Sequence, residues 1–367
     1  MSGRDAKRAA VEAYDTDMDE LIDAVRSGKL PAVRAVIAKD PEKARTGRAV
    51  VEAGRLAFQK ALELLHRNGA DLNGFWRGYR ALHALLQEDP HAAAGKPTAE
   101  RLACLDWLLE HGADPEQTGA WPPARAIIIA AFVGEPEYIR RLKKAKAKID
   151  GFAAAALGDR KMVEKTLQKN PEFANARDVG GLTALQCAVG SKYGKDQLEI
   201  ARLLLEAGAD VHAKTKSWSH EVDAIYFAAW AKNKDVFKLL LECGADATQA
   251  LVPALWSAGN DFAELAMSHG ANPDRATAEG RPLLNNLICW GQIPPMMWML
   301  AHGANPNVAD KEGWTAVHQA ASRGNERIMR ALLDAGGDLT KRDKQRNTPI
   351  DVARLKGRSK LVAMMSK

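Results

Sequence analysis

Residues 310–339 read DKEGWTAVHQAASRGNERIMRALLDAGGDL, and this stretch decides the fold. Gly313 permits a tight turn after Asp310, and Thr315 is placed to cap a short helix by accepting from its unpaired N–H groups. That helix runs to Ser322. Arg323-Gly324-Asn325 then turns the chain, and Ile328, Leu332 and Leu333 form the apolar stripe of a second helix, which Gly336-Gly337-Asp338 closes. The next Asp in phase, Asp343, lies 33 residues after Asp310, and Gly270, Gly303 and Gly336 are likewise 33 apart. A fixed period of this length predicts a stack of helix pairs, each touching only its neighbours.

The runs G-W-T-A-V-H-Q-A-A and A-L-L-D-A-G-G-D stand at the offsets of the ankyrin repeat family, which the chain resembles. The resemblance implies an all-α solenoid whose helix pairs are joined by projecting β-hairpin fingers, with binding along the concave side. A chain of 367 residues would usually divide into globular domains, but a solenoid has no such limit. The expected organisation is a helical extension at 1–15 and a single solenoid of about eleven repeats over 16–367, with end caps at 16–45 and 343–367. The closing motif recurs as Gly69-Ala70-Asp71, Gly112-Ala113-Asp114, Gly208-Ala209-Asp210 and Gly244-Ala245-Asp246. Repeats at 118–177 are degenerate, and the one at 151–177 has almost no room for a finger. A loop is expected around Glu88–Pro97 (EDPHAAAGKP), and the finger at Thr215–Val222 is enlarged.

Composition narrows the class. Hydrophobic residues make up 46%, enough for a core, and the abundance of Ala and Leu favours close-packed helices. Met1 to Tyr14 carry charges where a secretory signal needs an apolar run, and no window approaches the roughly 18 apolar residues of a membrane span. A soluble, cytoplasmic protein is expected. Cys104, Cys187, Cys243 and Cys289 fit neither a disulfide framework nor a CxxC metal pair, so reduced, part-buried thiols are expected. The net charge of +6 comes from two local clusters, residues 140–148 and 341–360, rather than from one basic face, which argues against nucleic acid.

A catalytic reading finds little support. H-E-x-x-H, G-x-S-x-G, P-loop and G-x-G-x-x-G patterns are missing, and the histidines are scattered. His83 and His318 occupy the family's T-x-x-H position, which implies bonds to the backbone of the adjacent finger. No catalytic residue, cofactor or metal ligand is assigned.

The aromatics say more. Aligning first helices by their ends places Phe132, Trp230, Trp256 and Trp290 at equivalent or adjacent positions, the last three in consecutive repeats. In ankyrin-like stacks this position faces the groove, and Trp314 and Arg323 extend the row. Tyr226, Asn285, Asn286 and Glu312 are expected to orient a partner, and the enlarged finger adds Trp218 and His220. Tryptophan here can also simply pack between repeats, and Trp314 can simply prop its finger. The row supports a monomeric, non-catalytic adaptor that anchors a protein partner on its indoles. The alternative is a small molecule or sugar stacked on the same rings, with His220 or a carboxylate supporting chemistry.

Overall fold

The computed structural model describes residues 19–87, 97–217, 220–275, 277 and 280–366, with backbone alone at 19, 217 and 220. The expected lead-in at 1–15, nearly all of the loop around 88–97, Trp218 and the His220 side chain lie outside what is described. The chain forms two compact units, 1–227 and 228–367.

In the first unit, helices pair in chain order: α1 (Asp19–Arg26) with α2 (Leu30–Lys39), α3 (Gly47–Arg55) with α4 (Gln59–Arg67), α5 (Ala81–Gln87) with α6 (Ala99–Glu110), α7 (Ala126–Val133) with α8 (Pro136–Lys144), α9 (Gly151–Leu157) with α10 (Arg160–Lys169), and α11 (Ala184–Val189) with α12 (Gln197–Glu206). The first helices pack side by side from α1 through α11, which makes one layer. Small side chains allow this: α9 reads GFAAAAL, and α7, AIIIAAFV, is buried on every side up to Phe132. The basic run at 140–148 lies on a wet face. Arg140 pairs with Glu137, Arg141 reaches Asp106, and Lys143, Lys144, Lys146 and Lys148 are exposed.

After α13 (Ala224–Ala231), the second unit contains α14 (Lys234–Glu242), α15 (Ala247–Pro253) with α16 (Asn260–Ser268), α17 (Leu283–Cys289) with α18 (Ile293–Ala301), α19 (Ala316–Arg323) with α20 (Glu326–Asp334), and α21 (Pro349–Leu355) with α22 (Ser359–Met365). Here α19 packs between α17 and α21. Thr315 caps α19 as its sequence implies, and His318 completes a capping box. The His318 Nε2 lies 3.2 Å from the Asn347 carbonyl of the next finger, while Nδ1 accepts from the Thr315 amide. These contacts fix the tautomer with hydrogen on Nε2.

Fingers form between pairs. Two are antiparallel hairpins, β1 (Thr118–Gly119) with β2 (Ala124–Arg125) and β3 (Thr215–Ser217) with β4 (His220–Val222). Others are single turns on an aspartate: Asp310 Oδ1 accepts from the Glu312 and Trp314 amides, and Asp178 Oδ1 from those of Gly180 and Leu182. The closing aspartates behave alike, Asp71, Asp114, Asp210 and Asp246 each accepting an amide two residues on.

One contact between repeats recurs. Asn73 donates to the Gly112 carbonyl at 2.9 Å and accepts the Asp114 amide at 2.8 Å, which joins two closing loops through one carboxamide. Asn175 does the same with Gly208 and Asp210, and Asn307 with Gly336 and Asp338. Each clamp satisfies a carbonyl left free where a helix ends. Asn307→Ala removes both bonds and should cost about 1–2 kcal/mol in urea unfolding, whereas Asn307→Asp, which keeps only the acceptor, should cost less. Equal stability of all three proteins would rule out a structural role for the clamp.

His83 is wholly buried in α5, against the finger at 118–125. Burial, reinforced by the Arg80 charge, lowers its pKa from 6.5 to about 4. The folded imidazole is thus neutral where the unfolded one binds a proton. Stability is fully present above pH 6.5 and falls as pH drops from 6.5 toward 4, by roughly 3 kcal/mol in all. His83→Gln should flatten the urea midpoint of the first unit across that window. A variant as acid-sensitive as the native chain would contradict this assignment.

Candidate functional site

Trp256 and Trp290 are the most exposed of the predicted aromatic row, at 47% and 42%. Their rings meet edge to face, centroids 5.1 Å apart and planes at 86°. Such a pair is worth about 0.5–1.5 kcal/mol beyond its buried area, so each ring holds the other in place.

The local backbone explains why Trp256 points outward. Pro253 lies inside the helical run and has no N–H to donate. After it, residues 254–258 widen into a π turn, closed by the Gly259 amide donating to the Ala254 carbonyl at 2.8 Å. Gly259 has φ 122° and ψ 172°, a region essentially reserved for glycine. The widened turn replaces the regular end of a first helix. Trp290 sits on the C-terminus of α17, its amide donating to the Asn286 carbonyl at 2.9 Å.

Arg323, exposed at the end of α19, donates to the Cys289 carbonyl and places Nη2 3.3 Å from Cys289 Sγ. The guanidinium therefore caps the negative end of α17 beside Trp290.

The other predicted residues fall elsewhere. Phe132 is 1% exposed, its ring 5.9 Å from Phe227, so it is core and offers no surface. Asn285 and Asn286, also buried, cannot orient a partner. Asn285 Nδ2 donates to the Trp314 carbonyl at 2.9 Å and Asn286 Nδ2 to Thr277 Oγ1 at 3.3 Å, which ties α17 to two fingers. Trp314 is half-buried and stacks on His318, with centroids 6.2 Å apart, as a finger prop would. Glu312 is exposed at that finger's tip, and its carbonyl accepts from Lys344. Trp230 is half-buried in the last turn of α13. Tyr226 belongs to the first unit, edge-on to Trp121, and burial raises its phenol pKa. The thiols divide more sharply than expected: Cys104 and Cys187 are buried, Cys289 is half-buried and Cys243 exposed. Among the described residues no cluster of three or more His, Cys, Asp or Glu could hold a metal ion.

With this geometry in view, the comparison with known families is decisive. The family model described as ankyrin repeats (3 copies) matches residues 152–251 and 284–367. The chain belongs to the ankyrin repeat family. Ankyrin repeats are generally protein–protein interaction modules, and proteins built from them are typically non-enzymatic scaffolds. Among solved structures, the human ASB11 ankyrin repeat domain is similar at 21% identity and a TM-score of 0.44, over 59% of this chain and 98% of that one. No curated protein matches the sequence.

The π turn escaped the reading of the sequence, although Pro253 six residues before a glycine is its signal. Gly259→Ala should lower the stability of the second unit by about 1–3 kcal/mol, because alanine is strained at that φ and ψ. An unchanged urea midpoint would show that the turn relaxes freely and does not fix Trp256.

Proposed function

We propose that this ankyrin repeat protein is a non-catalytic adaptor that anchors a protein partner on Trp256 and Trp290. The observation that carries this reading is the pair of half-exposed indoles held edge to face, with Arg323 bound to the Cys289 carbonyl next to Trp290 in sequence. An exposed aromatic pair of this size is unfavourable in water. Covering the open half of each ring, about 100 Å², contributes on the order of 2–3 kcal/mol. Trp and Arg are also the side chains that most often dominate binding energy at interfaces. The rigid helix ends that carry them lose little conformational entropy on binding.

On this proposal Trp230, Trp314 and Glu312 form the periphery, contributing complementarity more than energy. Trp218 and His220, on the enlarged finger, are proposed as further peripheral contacts. The protein acts as a monomer in the cytoplasm. No helix among the described residues is long and apolar enough to cross a membrane.

A pull-down with the native chain and with a Trp256→Ala/Trp290→Ala variant should recover a protein that only the native chain retains. Titrated against that protein, Trp256→Ala alone should weaken binding by about 2 kcal/mol, roughly thirtyfold, with helicity unchanged. Equal recovery by both chains would refute docking on the indoles. Indole quenching by a sugar or metabolite, with no retained protein, would replace it with small-molecule binding.

A further inference from the structure

A second surface lies wholly within the first unit, on its fingers. A cleft of about 800 Å³ is bounded by Phe75, Arg77 and Gly78 on one finger, by residues 118–120 and Pro123 on the next, by Arg177, Gly180 and Gly181 on a third, and by residues 214–216 on the β3–β4 hairpin. Its size falls in the range of ligand-binding clefts. Its lining passes from the finger at 118–125 to that at 177–183 and includes no residue of the short turn at 145–150. The third finger leans directly on the second, where a Cβ on Gly180 would lie 2.0 Å from the Pro123 carbonyl, so only glycine fits that contact.

The chemistry of the walls is one-sided. Arg77, Arg177, Lys214 and Lys216 line the cleft and no carboxylate does. Among the described residues none of the four forms an ion pair. Asp178, next to Arg177, turns inward to its own loop amides. Glu221 is opposite Lys216 in the hairpin but makes no ion pair with it. Arg177 is held in place, donating to the Gly181 carbonyl at 2.7 Å and lying 3.4 Å from Thr215 Oγ1. At one end Phe75 is 58% exposed, with the Arg80 guanidinium 5.2 Å from its ring centroid.

We infer that this cleft binds an extended acidic segment of a partner protein, with an apolar side chain of that segment on Phe75. Arg77 lies over the Trp76 ring, 4.8 Å from its centroid, and the Asp223 carboxylate acts on Lys214 from outside the lining, but inside the cleft only cations face one another. Like charges repel across a confined space, and an anionic guest relieves this while the walls focus the field on it. The cations stand on three separate fingers rather than converging on one point, which suits charges strung along a chain better than a single phosphate. One exposed ring suits one apolar residue better than a run of stacked bases. This surface is independent of the indole pair.

The test uses the full chain and three fluorescein-labelled probes at low salt: a glutamate-rich peptide with one leucine, its glutamine counterpart, and an oligothymidylate. Fluorescence anisotropy should show the glutamate peptide binding, weakening with salt and about tenfold weaker for Lys214→Glu combined with Lys216→Gln. Glutamine at 216 avoids a like charge facing Glu221. Arg77→Asn, on the opposite wall, should show a similar loss, since asparagine tolerates the positive φ of 47° at that position. Trp256→Ala should bind the peptide as the native chain does. Equal binding of the glutamine peptide, charge-insensitive binding by variants of native circular dichroism, or binding of the oligothymidylate alone would each overturn the inference.

Discussion

The architecture depends on how one helix pair is joined to the next. A single pair cannot bury its apolar face, so every repeat relies on its neighbour. The Asn73, Asn175 and Asn307 carboxamides make that dependence specific, each binding a carbonyl and an amide of the following closing loop. Apolar packing alone would let pairs slide. A carboxamide that donates and accepts at once fixes their register, and the fingers and helix ends inherit it.

That register was readable because it is written in residues with few substitutes. The glycines and aspartates of the closing motifs recur at a fixed interval, and threonine before α19 stands where a cap must be. Side-chain direction was less legible. Phe132 and Trp256 hold comparable places at the ends of first helices, yet one is core and the other is open. The difference arises from a proline, a widened turn and one glycine at the end of a single first helix. Asn285 and Asn286 look like surface polar groups in the sequence, but their neighbours are finger atoms from residues 277 and 314, a proximity only the fold creates.

The two candidate surfaces use different physics. On the second unit, the indole pair is apolar, rigid and short-ranged, with a single guanidinium for orientation. Contacts of this kind govern how slowly a partner leaves. On the first unit, cations without an ion-pair partner line a cleft between fingers, and their field reaches about 8 Å into physiological solution. Charge of that kind governs how fast a partner arrives and which partners are rejected. Both lie beside departures from the common pattern, a repeat at 151–177 with almost no finger and an irregular helix end at 254–258.

The central claim is that the rings of Trp256 and Trp290 are open in the free protein and covered in the complex. Fluorine NMR of the chain labelled with 5-fluorotryptophan tests it, using the shift between light and heavy water as a measure of solvent contact at each ring. Both resonances should show that shift in the free protein and lose it when the retained partner is added, while the buried Trp298 stays silent throughout. If both rings keep full solvent contact in the saturated complex, the partner binds elsewhere and the account fails.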